Sequence, residues 1–165
     1  MIDTPRLTLR QMLASDFDDL MMIFGDPKVM DSFNVPPFSR DQMRAWLDRN
    51  LAHQEEHGYG LFSVILKSGG TLIGNCGLEH MQVDGQPAAE LGYDFRSDFW
   101  NQGYATEAAT AVREYAFQKL NLPHLISLIR VGNEASRRVS EKIGMALIKE
   151  LTINDIRYWK YGISS

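Results

Sequence analysis

Phe99-Trp100-Asn101-Gln102-Gly103-Tyr104-Ala105-Thr106-Glu107-Ala108 is the stretch on which the reading of this chain turns. Beyond Gly103 the apolar residues Ala108, Ala111, Val112, Tyr115 and Ala116 recur at helical spacing as far as Lys119, an amphipathic pattern. Upstream, Ala88 to Phe95 reads as a strand. The quoted residues therefore join a strand to the first turn of a helix. The first N–H groups of a helix have no internal partners, and the helix dipole makes that end partly positive. Gly103 lets a bulky anion approach the backbone, and Ala105 keeps the next turn clear. Such a loop cradles a phosphate or pyrophosphate. On the loop alone, an ordinary turn glycine is an equal reading.

Working outward, Leu7-Thr8-Leu9 alternates as a short strand after Thr4-Pro5. Ser15 is placed to cap a helix with Phe17, Leu20, Met21 and Phe24 on one side, ending near Gly25. A second helix starts at the Ser39 cap and carries Met43, Trp46, Leu47 and Leu51 before stopping at His57-Gly58. Gly60 to Leu66, Thr71 to Met81 and Ala88 to Phe95 follow as an antiparallel meander. After the central helix, His124 to Val131 is nearly continuous in apolar residues, as in a strand buried on both faces. Asn133 caps a further helix, closed by Gly144. Met145 to Leu151 and Asp155 to Tyr161 form a last hairpin. The order β-α-α-β-β-β-α-β-α-β-β predicts an α/β fold. Its sheet is mixed and mainly antiparallel, with about seven strands and about four helices on its two faces. Asn133-Glu134-Ala135-Ser136 then opens at the same sheet edge as the Gly103 loop.

Composition excludes several classes. Apolar residues make up 44% of the 165 and charged residues 23%, as in a globular protein rather than a disordered or fibrous one. The length suits one domain over residues 1–165. No apolar run reaches the roughly 18 residues of a membrane span. Met1 to Arg6 lacks the pattern of a secretion signal, and the single cysteine, Cys76, fits a reducing compartment, so a cytoplasmic protein is expected. Basic residues number 17 against 21 acidic ones and are dispersed. Nucleic acid is not an expected partner, whereas a cationic amine suits the balance.

Three further features have a plain reading beside a chemical one. His53-Gln54-Glu55-Glu56-His57 matches an inverted zinc-protease pattern, but with no third ligand in view a solvated helix terminus is favoured, and no metal is expected. Cys76 reads as core rather than as a nucleophile. Arg137-Arg138 reads equally as a contact to a cofactor phosphate or as a solvated helix face.

Ala89-Glu90-Leu91-Gly92-Tyr93, Trp100 to Ala108, and Asn133-Glu134-Ala135-Ser136 through Glu141-Lys142-Ile143-Gly144-Met145 together resemble the GNAT superfamily of acetyl-CoA-dependent N-acetyltransferases. Within it they look most like the ribosomal-protein N-terminal acetyltransferase (RimJ/RimL-like) branch, as does Thr4-Pro5-Arg6-Leu7-Thr8-Leu9-Arg10. The resemblance implies that the pyrophosphate of acetyl-CoA lies on Asn101, Gln102, Gly103, Tyr104, Ala105 and Thr106. It implies that the pantetheine arm fills a gap between the strand holding Glu90, Leu91, Gly92 and Tyr93 and the strand Leu125 to Val131. Asn133 and Ser136 would touch that arm, and an N–H near Leu91 or Gly92 would face the thioester oxygen. Trp100 and Asn101 stand where the family loop has Arg or Gln and then Gly; Asn tolerates the left-handed backbone such a place needs. Ser140 stands where many members carry a tyrosine acid. Ser136, or else Ser140, is then the candidate donor to the leaving thiolate, and Glu90 the candidate base.

The acceptor expected is a primary amine, first of all a protein or peptide N-terminal α-amine. At a pKa of about 7.7–8.0, on the order of 10–20% of such amines are neutral at pH 7, against about 0.04% for lysine. No strong base stands out to make up the difference. A small-molecule amine (polyamine, amino sugar or amino acid) is the alternative acceptor, and a non-catalytic acyl-CoA-binding module the alternative class. A homodimer is compatible with the sequence. The acceptor wall is expected in the region from Phe24 to Trp46.

Overall fold

The computed structural model describes residues 1–165 and is organised on one eight-stranded sheet. In chain order the elements are β1 (Ile2–Asp3), β2 (Leu7–Gln11), α1 (Phe17–Phe24), α2 (Pro27–Asp31), α3 (Arg40–His57), β3 (Leu61–Leu66), β4 (Leu72–Val83), β5 (Gln86–Phe95), α4 (Tyr104–Gln118), β6 (His124–Arg130), α5 (Glu134–Lys142), β7 (Ala146–Ile153) and β8 (Ile156–Ser164). The spatial order is β1-β2-β3-β4-β5-β6-β8-β7. Every neighbouring pair is antiparallel except β5 and β6.

Two elements exceed the sequence expectation. β1 is too short to show alternation; it exists because Ile2 and Asp3 pair with Leu9 and Thr8. α2 is one short helix begun by Pro27, with the Asp26 carboxylate accepting from the Lys28 N–H. Ser15 is not a cap. Ala14–Asp16 instead forms a 3₁₀ turn that carries Asp16 inward, where its carboxylate accepts from Arg10, the Leu13 N–H and the Ser63 hydroxyl. Ser39 and Asn133 do cap α3 and α5 through their side chains.

The helices divide between the two faces. Leu78, Leu91 and Leu125 meet Ala108, Ala109, Val112 and Ala116 of α4, whose small side chains let the helix lie close to the sheet. On the other face, Phe24, Met30, Met43 and Leu47 of α1–α3 pack over Leu61 and Leu72. Cys76 is fully buried in the α4-side core, and burial pushes its thiol up, as the core reading expects.

β5 and β6 run parallel and meet at a single register pair, Glu90 opposite Ile126. Beyond it the strands part. Two side-chain bonds cross the opening: the Leu128 N–H donates to the Glu90 carboxylate at 2.9 Å, and the Ser127 hydroxyl donates to the Leu91 carbonyl at 2.7 Å. A parallel pair that does not stay paired leaves backbone groups facing a gap, where side chains such as these, water or a ligand can satisfy them.

Candidate active site

One cavity, of about 460 Å³, opens over the start of α4 and is lined by Trp100, Asn101, Gly103, Tyr104, Ala105 and Thr106 together with Asn133, Ser136 and Arg138. Asn101 (φ 61°) and Gly103 (φ 83°) both take the left-handed backbone that turns the chain into the helix. Gly103 is the N-cap residue, and no side chain caps α4. The first-turn N–H groups are thus available to an anion. Lys28, Arg138 and Lys142 add cationic side chains to the lining. The donor set fits a pyrophosphate. Gln102 does not line the cavity; its carbonyl instead accepts from Arg6 Nη1 at 2.9 Å.

Arg6 holds the loop from behind. Its Nε donates to Glu107 at 2.8 Å, its backbone N–H to the same carboxylate at 2.9 Å, and its guanidinium lies 4.2 Å above the Tyr104 ring. Thr4 adds a 2.6 Å bond to Glu107. This clamp ties β2 to the helix start and was not singled out from sequence, since its members lie about a hundred residues apart.

A second cavity, of about 430 Å³, lies on the α1–α3 face. Phe24, Phe38 and Trp46 form its aromatic roof, with Phe24 stacked on Phe38 at 5.3 Å and against Trp46 at 4.6 Å. Residues of the Phe24 to Trp46 region thus wall this cavity. The floor carries two cross-strand pairs, Asn75 with Asp94 and Glu79 with Glu90, and Gly92 lies between Glu90 and Asp94 along β5. A Cβ placed on Gly92 would meet only Glu90 Oε1, at 3.6 Å, so a hollow stands above Gly92 beside that carboxylate. Burial pushes Glu90 up to about 8, with the charges of Glu79 and Asp94 acting the same way against the bond from Leu128. Burial and Glu79 push Asp94 up to about 7, and burial also raises Glu79. Glu90 and Asp94 thus change protonation near neutral pH, where a base has to work.

The two cavities share Phe33, Tyr93, Asp94, Asn133 and Ser136, so they join at the opening between β5 and β6. Leu91 and Gly92 line the second cavity there. The Tyr93 hydroxyl donates to the Ser136 carbonyl at 2.8 Å and lies 3.0 Å from the Ser136 hydroxyl. Burial pushes Tyr93 up to about 12, so it stays a protonated donor. Ser140 does not reach either cavity: it is fully buried and its hydroxyl makes no hydrogen bond. Of the two candidate serines, the fold brings only Ser136 to the junction.

The remaining features resolve by position. Arg137 turns away, donating to the Tyr161 hydroxyl at 2.8 Å and lying over Trp159, while Arg138 lines the anion cavity. His53 and His57 are half-buried rather than solvated. Their rings lie 4.6 Å apart, His57 stacks on His80 at 4.7 Å, and His53 Nε2 accepts the His80 N–H at 2.9 Å, pinning the end of α3 to β4. Asn75, Glu79, Asp94 and Lys28 were missed from sequence. The first three had a faint signal: polar residues at every second place, Asn75-Gly77-Glu79 and Glu90-Gly92-Asp94, in otherwise apolar strands.

The acetyltransferase (GNAT) domain family matches residues 6–146. YkkB of Bacillus subtilis (strain 168) is 36% identical over 162 residues, covering 98% of this chain and 91% of that protein. YdaF of the same organism, which carries a provisional ribosomal N-acetyltransferase name, is 38% identical over 113 residues, 68% of this chain and 60% of its own. A solved acetyltransferase structure from Agrobacterium tumefaciens str. C58 superposes with a TM-score of 0.86 at 29% identity, covering 99% of this chain and 94% of that one.

Proposed function

The chain belongs to the GNAT acetyltransferase family, an enzyme family that moves acetyl from acetyl-CoA to an amine, and from that premise we propose that the acceptor is a peptide or protein N-terminal α-amine, as in the RimJ/RimL-like branch. One observation carries the catalytic reading: an anion-binding cavity and an acid-floored cavity meet at one opening in the sheet, with Glu90 and Asp94 flanking the hollow over Gly92. Acetyl-CoA supplies the thioester when bound. Asn101, Gly103 to Thr106 and Arg138 would hold its phosphates, and backbone groups of β5 would orient the arm. An ammonium entering the acid-floored cavity would be drawn to the carboxylates. Glu90 would take its proton through the hollow, and Ser136, in contact with the Tyr93 hydroxyl, would return a proton to the departing thiolate. Holding both reactants at one opening supplies much of the rate.

The α-amine reading is supported by the motifs of residues 4–10 and 89–108, by the name of the YdaF relative, and by the low pKa of α-amines. Thiol release from acetyl-CoA, measured between pH 6.5 and 9, tests it. Short peptides with a free N-terminus should exceed N-blocked peptides bearing an internal lysine, and free polyamines, in kcat/KM. Lysine peptides or polyamines winning by about tenfold across that range overturns the α-amine reading while leaving acetyl transfer intact. Acetyl-CoA binding without thiol release in any case would make the chain a binding module.

A further inference from the structure

The loop over the start of α4 keeps a row of backbone donors out of internal use. No N–H from Asn101 to Thr106 donates to a backbone carbonyl, and no side chain caps the helix. The chain itself carries a competitor for them. A first-turn carboxylate is drawn to the N–H groups of its own helix start, and Glu107 is that residue of α4.

In this fold Glu107 is turned away. Its carboxylate accepts from Arg6 Nε at 2.8 Å, from the Arg6 N–H at 2.9 Å and from the Thr4 hydroxyl at 2.6 Å. It lines a third hollow with Asp3, Thr4 and Thr110, and not the anion cavity. Against the upward push of burial, the bonds from Thr4 and Arg6 hold its carboxyl below the ordinary glutamate value. Glu107 is therefore charged near neutral pH, and that charge is satisfied behind the loop.

The same guanidinium fixes a peptide plane. Arg6 Nη1 donates to the Gln102 carbonyl at 2.9 Å. A trans peptide unit is planar, with its C=O and the following N–H pointing opposite ways, so the Gly103 N–H is directed away from Arg6. Gly103 lines the anion cavity, whereas Arg6 and Gln102 do not. With the guanidinium 4.2 Å from the Tyr104 ring centre, one side chain contacts the loop at Gln102, Tyr104 and Glu107. Stability does not account for this arrangement. The Arg6 and Glu107 side chains are 44% and 17% exposed, and an ion pair this open to water adds little to a fold.

We propose that Arg6 is a positioning residue for acetyl-CoA. It holds the Glu107 carboxylate and the Gln102 carbonyl behind the loop, which leaves the Gly103 N–H and the first turn of α4 open to the pyrophosphate. Arg6 does this without touching the cofactor. The inference rests on the acetyl-CoA reading of the anion cavity and deepens it.

The test uses the intact chain and two measurements. Calorimetry gives the affinity for CoA. Acetyl transfer to one short peptide is compared between acetyl-CoA and acetyl-pantetheine, a thioester with the same reactive end and no phosphate. Arg6→Gln should weaken CoA binding by at least about tenfold. It should lower the kcat/KM preference for acetyl-CoA over acetyl-pantetheine by a similar factor, through KM, with the melting temperature nearly unchanged. Adding Glu107→Gln to that variant removes the competing charge and should recover CoA affinity by about threefold. Arg6→Lys keeps the charge but cannot reach Glu107 and the Gln102 carbonyl together, so it should fall between wild type and Arg6→Gln.

Unchanged CoA affinity in Arg6→Gln overturns the inference. So does an equal loss with acetyl-pantetheine, which signals general damage, and so does a double variant that binds no tighter than the single one. If Arg6→Gln does not fold, Arg6→Lys decides by the same comparison, and an unchanged preference for acetyl-CoA overturns the inference. Polyamines outrunning the peptide would remove the α-amine reading and leave the calorimetric result standing. A wild-type chain that binds no CoA would remove the cofactor reading, and this inference with it.

Discussion

The two cavities that meet at the β5–β6 opening are built from different materials. The anion side is made of backbone: two left-handed residues, Asn101 and Gly103, and a helix start that no side chain caps. The acceptor side is made of side chains, set in cross-strand pairs on a sheet face and roofed by aromatics from α1, α3 and the segment between α2 and α3. Backbone donors bind any ligand with the right phosphate, so that half can be shared across a family. Side-chain pairs can be exchanged one at a time without disturbing the fold, so on the proposed reading specificity resides in the other half.

If the halves are separable, substitutions should fall on one side or the other. The largest effect is expected from Glu90→Gln, which should lower kcat/KM by about 10²–10³-fold while leaving acetyl-CoA affinity within about twofold by calorimetry. A large change in that affinity would break the division. In the wild type, kcat/KM should rise with pH through about 7 to 8, since Glu90 and Asp94 must lose protons to act and titrate as a coupled set.

Ser136→Ala, at the junction itself, should lower kcat by about 10²-fold with little change in acetyl-CoA affinity. Ser140→Ala should do far less, because that hydroxyl reaches neither cavity. Equal, small losses from both would assign thiolate protonation to water.

Gly103→Val probes the backbone side. A branched side chain at φ 83° is strained, and with Arg6 Nη2 only 3.3 Å from the new Cβ it should displace the loop that lines the cavity. Acetyl-CoA affinity should fall by about tenfold, equivalent to about 1.4 kcal/mol, in a protein that remains folded. An unchanged dissociation constant would take the loop out of the cofactor site.

The smallest effect is on stability, and it sharpens the account of the acid floor. Glu90, raised from an ordinary 4.5 to about 8, binds its proton more tightly folded than unfolded. Stability from this group is therefore complete below about pH 4.5 and is lost as pH rises towards 8. Glu90→Gln removes that loss, so the melting temperature of the variant relative to wild type should be higher at pH 9 than at pH 4.5. A constant difference across that range would mean that Glu90 is not held in its raised state.

Legibility follows the same division. The α3 and α5 caps, the meander, the final hairpin and the Asn101–Thr106 loop all depend on residues within a few positions of each other, and local sequence reports them. β1 escaped because two residues cannot show a period. Ser15 misled because Asp16, one place on, has a stronger use for its carboxylate in Arg10 and Ser63. The role of Glu90 was readable as a candidate only, since nothing near it in the chain announces Glu79 and Asn75 across the sheet.

By itself the sequence determined the order of elements, the turn of the chain into α4, and the resemblance that led to acetyl transfer. These are local matters of backbone conformation, periodicity and motif. Only the tertiary structure decided that Asn75, Glu79, Glu90 and Asp94 lie on one floor, that Ser136 and not Ser140 reaches the cavities, and that Arg138 rather than Arg137 lines the cavity over the start of α4. The physical reason is register. Side chains alternate along a strand, so which residues face each other depends on how β4 and β5 align and on where β5 and β6 cease to pair.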